Sequence, residues 1–157
     1  MNRVKKTRLT IAVVLLQAAC ALASAGSEEI VDRSIGALLI SHDAMFRHDG
    51  GPAAFAGEKL YQQFRKAYEA EIKGLALEER FRFLWAAMWH LGFDGHAMEE
   101  FQELVLKDCG DLFIERLENY VKAESELQRD KSRLHLSQKV LAGMKKARSQ
   151  DPAGGAK

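Results

Sequence analysis

From Ser27 onward, apolar residues recur at intervals of three and four rather than two, the spacing of one face of an α-helix. Sustained alternation, Asn-Gly turns and runs of β-branched residues are missing after residue 26, so the pattern predicts an all-α chain. The first predicted helix runs from Glu28 to about Phe46, capped by Ser27, with Val31, Ile35, Leu38, Leu39, His42, Met45 and Phe46 on one face. "RHDGGPAAFAG" breaks the pattern and reads as a loop. A second helix follows from Glu58 to Gly74, turning Leu60, Tyr61, Phe64, Tyr68 and Ile72 inward.

The third stretch, Leu77 to Leu91, is apolar nearly all round, as a central core helix is. Phe81, Leu84, Trp85, Met88 and Leu91 form its expected main face, widened by Phe83 and Trp89. Gly92 suits the left-handed residue that ends it, with Phe93 folding back onto Met88. Asp94 suits the cap of the next helix, and Phe93 and Met98 occupy the two positions of a hydrophobic staple. That fourth helix is expected to bury Met98, Phe101, Leu104, Val105 and Cys109, to stop at Gly110, and to give way to a fifth capped by Asp111.

From Leu112 to Ala142 there is no Gly or Pro. Phe113, Leu117, Tyr120, Leu127, Leu134 and Leu141 form a thin apolar seam, with Glu124, Lys131 and Gln138 on the same stripe. Pairs such as Glu118 with Lys122 suit its solvent side. Two arrangements fit. In one, the helix continues and its distal half offers Leu127, Leu134 and Leu141 to a partner or a second copy. In the other, the chain turns near Asp130 and a sixth helix folds back over the core. The tail, 149–157, has no apolar residue larger than Ala and is expected to be disordered. The sum is a single domain of five to six helices, an irregular helical bundle over residues 26–148.

The first 25 residues are of another kind. Arg3, Lys5, Lys6 and Arg8 precede the apolar run "LTIAVVLL", and small residues follow up to Ala25. This is the build of a signal peptide cleaved before Gly26. Its apolar core falls short of the roughly 20 residues that span a bilayer. An uncut signal anchor is one alternative. Lipidation at Cys20 is another, although Gln17 stands where a lipoprotein signal carries Leu. The expected location is therefore the periplasm or the exterior, with no transmembrane segment in the mature chain.

Cleavage changes the charge. Four of the 23 basic residues precede Gly26, leaving 19 against 22 acidic ones, a net of −3. A clustered basic face of the kind that binds nucleic acid is not expected from this balance. Cys109 becomes the one cysteine of the mature chain, which cannot close an internal disulfide. Its acidic neighbours Asp108 and Asp111 oppose a reactive thiolate.

Candidate chemistry is sparse. "HLGFDGHAMEE" offers His90, Asp94, His96 and Glu99 as a metal set, which would support a hydrolase with a metal or carboxylate site between His90 and Glu100. Its histidines flank a glycine corner and need not converge. His42 and His48 each precede an Asp, without the further ligands a metal phosphohydrolase carries. No nucleophile elbow or phosphate-binding glycine loop occurs, and no cofactor is expected. Adjacent glutamates such as Glu78 and Glu79 point about 100° apart on a helix. Trp85 and Trp89 could line a sugar or peptide groove, but their apolar neighbours favour packing. The expectation is thus a small exported helical protein of inhibitor, immunity or adaptor type that binds another protein.

Overall fold

The computed structural model describes residues 26–45, 53–127 and 129–150. All of the elements among them are helical, gathered on one hydrophobic core. Phe46, His48, residues 1–25, on which the expected signal peptide falls, and the tail beyond Gln150 lie outside the described residues.

α1 spans residues 26–45 and buries Val31, Leu38 and Met45, seven residues apart. It starts earlier than its sequence suggests. Ser27 lies inside it, and its hydroxyl donates to Glu79 Oε1 at 3.1 Å. Farther along, Ser34 Oγ and Arg33 each donate to Glu71 Oε2 at 3.0 Å.

α2, Ala53–Ala67, also starts early, since helix replaces the second half of the expected loop. It passes into a π-helical turn, Tyr68–Ile72, closed by Lys73 N–H donating to Tyr68 O at 2.9 Å. Phe64, Tyr68 and Ile72 follow one another at spacing four and are all buried. In an α-helix that spacing drifts by about 40° a step, and the wider turn takes up the drift.

α3, Leu77–His90, is the central helix, but its deepest face is turned from the expected one. Phe83, Leu84, Ala87 and Met88 are fully buried, while Phe81, Trp85 and Trp89 are half-buried against the core. The corner after it falls where its residues imply. Gly92 has φ 62°, and Asp94 O accepts the first helical bond of the next element from Met98 N–H at 3.1 Å. Phe93 packs against Tyr61, Phe64 and Phe101 in an aromatic cluster.

α4, Gly95–Leu127, has two arms. The interruption falls on Cys109 (φ −153°, ψ 30°), one residue before the expected stop at Gly110. Asp111 does not act as a start signal there. Its carboxylate meets Arg148 of the last helix at 2.7 Å. Glu118 reaches Lys145 on that helix at 2.6 Å, in place of the expected Lys122.

α5, Lys131–Gln150, folds back along α4, which decides between the two arrangements left open by the seam. Ser137, Val140 and Met144 are buried beneath it. A Cβ added at Gly143 would overlap the Gln102 side chain, so glycine permits the close approach of α5 to the first arm of α4. The turn is held by Glu124, itself buried, whose Oε1 accepts Asp130 N–H at 2.8 Å while Oε2 pairs with Arg129 at 3.4 Å. Asp130 then caps α5, accepting Arg133 N–H at 2.9 Å.

Candidate functional site

Two polar stripes face each other across an open groove of ≈710 Å³ between α2 and the first arm of α4. Gln62, Arg65, Lys66, Glu69 and Lys73 come from one side. Glu100, Glu103, Leu104, Lys107 and Asp108 come from the other. Each set keeps the three-and-four spacing of a single helix face, on the flank of the stripe that each helix buries. Four cations and four carboxylates are mixed along it, with most of the cations on the first side and most of the carboxylates on the second, and Leu104 is the one apolar lining residue.

The electrostatics are those of paired charges. Lys73 donates to Glu69 at 2.8 Å and holds that carboxyl below its usual range, with Arg65 adding to the pull. Lys73 is raised in turn by the same bond. Lys66 and Lys107 stand exposed on the two rims.

Behind the groove two backbone irregularities meet. Tyr68, which opens the π turn, donates its hydroxyl to Asp108, the residue before the Cys109 interruption. Burial pushes the Tyr68 phenol up, and the Asp108 carboxylate adds to the shift. Arg80 approaches the same cluster with its Nε buried and without a hydrogen-bond partner. The Tyr61 hydroxyl is also buried without a partner in bonding geometry, although Arg65 and Glu100 stand near it. Burial raises its pKa.

Cys109 is buried at the interruption, and its thiol is pushed up to about 12 by burial, with Asp108 adding to the rise and Arg80 opposing it. A thiol reagent at neutral pH is therefore expected to label the native protein at least roughly a hundredfold more slowly than the denatured one, since the thiolate is the reacting form. Labelling rates with and without denaturant check this. Equal rates, or a disulfide-linked dimer on a non-reducing gel, would show an exposed thiol.

The metal set does not assemble. His96 is 73% exposed and turns to its own helix, 3.1 Å from Glu100 and 3.8 Å from Glu99. His90 is exposed at the end of α3, and Asp94 is exposed with its Oδ1 beside Gly57. Among the described residues no group of three or more His, Cys, Asp and Glu could hold a metal ion.

The three seam leucines are also separated. Leu127 is 56% exposed at the end of α4, Leu134 is half-buried on α5, and Leu141 packs against the core. The turn divides the stripe, so the three do not form one continuous seam. Trp85 and Trp89 pack against each other and against Tyr120, with the Arg133 guanidinium 5.5 Å from the Trp89 ring centre.

The groove, the Tyr68–Asp108 junction and the Glu124 turn were not singled out by sequence reasoning. For the groove a signal existed in the two polar stripes, but nothing local says that those two faces adjoin. Among the described residues no helix is long and apolar enough to cross a membrane. Comparison of the chain with protein-family models, with curated proteins and with solved structures finds no match.

Proposed function

We propose that this chain is exported and acts in the cell envelope by binding another protein, as an inhibitor, immunity or adaptor protein does, with the α2–α4 groove as its docking surface. The observation that carries this reading is the character of that groove. Small-molecule sites are enclosed and mostly apolar, with a few polar groups to orient the ligand. This one is open, and every lining residue but Leu104 carries a polar or charged group. General acid–base work at neutral pH needs a group whose pKa has been moved toward 7. Here Glu69 is held lower and Tyr68 is pushed higher. Charges of both signs along an open groove suit the recognition of a complementary charged surface, where they speed encounter and fix register. Export is supported by the basic start, the short apolar run and the small residues up to Ala25.

The test is capture from an envelope extract with the purified exported protein as bait. A partner retained in stoichiometric amount should be lost when Lys66→Glu and Lys107→Glu are combined, and should be retained when both become Arg. Both lysines are exposed, so neither change threatens the fold. Unchanged capture by the Glu variant would remove the groove from the proposal.

A further inference from the structure

We infer that cleavage before Gly26 creates a new ion pair, between the α-ammonium of Gly26 and the inner oxygen of Glu79. This rests on the export reading above. Glu79 lies in the first turn of α3 and reaches across to the start of α1, where Ser27 Oγ donates to its Oε1 at 3.1 Å. Its second oxygen, Oε2, is buried and has no hydrogen-bond partner. A buried carboxylate oxygen without a donor is costly, and native structures seldom leave one so. The cation nearest in sequence on the same helix face, Arg82, is already engaged by Glu28 at 3.3 Å and Asp32 at 3.5 Å.

Gly26 precedes Ser27 directly and opens α1. While the signal is attached, its nitrogen is a neutral amide with one hydrogen to donate. The peptidase adds one water across the Ala25–Gly26 bond. The released piece then ends in the Ala25 carboxylate, and the mature chain begins with the Gly26 ammonium. That group has three donors, carries a positive charge and is one residue from a carboxylate oxygen that lacks a donor. Nothing lies within 4 Å of where a Cβ of Gly26 would be, so the new terminus has room to turn toward Glu79. An ammonium at a helix N-terminus is opposed by the helix dipole, and a carboxylate there offsets it. The pair would therefore fasten the start of α1 to α3 in the mature protein and leave the precursor without that tie.

The direction of the pH effect follows. A free α-amino group titrates near 7.7–8.0. A carboxylate partner raises that value in the folded state, so the added stability is present below about pH 8 and is lost as pH rises through the raised pKa. The charged groups flanking Gly26 and Glu79 along the chain are Glu28 and Glu29 on α1 and Glu78, Arg80 and Arg82 on α3, with Arg82 held by Glu28 and Asp32. The π turn's Glu71 is held farther along by Arg33 and Ser34.

The experiment uses the exported protein, glycine-labelled for NMR. N-terminal sequencing first reports the cleavage site. A start at a residue other than Gly26, a lipid-modified Cys20 included, overturns the export boundary and this pair with it. With Gly26 confirmed, the titration of its Cα signal is expected to show an amine pKa raised by about one unit or more, returning to the free value in Glu79→Gln. Glu79→Gln should also lower the denaturation midpoint at pH 6–7, with the deficit closing at high pH or after acetylation of the amine. An unshifted amine in the native protein overturns the pair and leaves export standing, and this readout needs no variant to fold. A Glu79→Gln deficit that is the same at every pH and after acetylation likewise overturns it.

Discussion

Replacing Phe64 with Ala is expected to cost about 3–5 kcal/mol, the range for removing a large buried aromatic side chain. Phe64 is fully buried, and its ring lies within 6.3 Å, centre to centre, of Tyr61, Tyr68, Phe83, Phe93 and Phe101. Those five come from α2, the π turn, α3, the corner and α4, so one side chain touches every layer that frames the groove. The hole would have few routes to collapse, because its walls are rigid rings. Against a total stability of about 5–15 kcal/mol, this is a loss that a denaturant titration reads directly. Phe64→Leu should recover a large part of it. A loss below about 1 kcal/mol would mean that the cluster is not the centre of the core.

The second large effect is expected at Glu124. Glu124→Ala removes the acceptor for Asp130 N–H and the partner of Arg129, both of which hold the α4–α5 turn. The hydrogen bond from Asp130 N–H to this buried carboxylate contributes about 1.5–3 kcal/mol, and the Arg129 pair adds little because that guanidinium is largely exposed, so a cost of about 2–3 kcal/mol is expected. The loss should be local in its first appearance. α5 docks almost wholly on α4, through Ser137, Val140 and Met144 and through two ion pairs. Amide exchange in α5 should therefore accelerate before exchange in α3 does. Glu124→Gln keeps an acceptor oxygen and should lose less. Uniform acceleration across all helices would show instead that the turn and the core open together.

These two positions mark what could be read from the chain and what could not. Phe64 was legible, because a core residue of an amphipathic helix announces itself by spacing alone. The same is true of the left-handed Gly92 and of the helix start just after Asp94, whose signals are all within a few residues of the structure they make. Glu124 was not legible in the same way. On the sequence it is a carboxylate in the middle of an apolar stripe, which looks like a weak point in a continuous seam. In the structure it turns to a backbone N–H six residues on and ends that seam. Whether Leu134 and Leu141 faced a partner or their own core depended on that turn. The Cys109 interruption lay one residue from its expected place, because Gly110 is the stronger local signal but the chain bends where Asp108 is tied to Tyr68 on another element. The groove needed the pairing of two helices, which is tertiary information. The metal set illustrates the reverse case. Ligand-like residues close in sequence were separated by the two glycines that make the corner, Gly92 at φ 62° and Gly95 at φ 46°.

The proposed binding through the groove is tested most directly by measuring partner capture with three baits side by side: the unaltered protein, the Lys66→Glu/Lys107→Glu variant and Leu127→Ser. Leu127 is the seam residue that remains exposed, so it carries the competing docking surface. Loss of the partner from the lysine variant alone, with Leu127→Ser retaining it, is the expected result. Retention by the lysine variant together with loss from Leu127→Ser would contradict docking in the groove and return the binding surface to the end of α4.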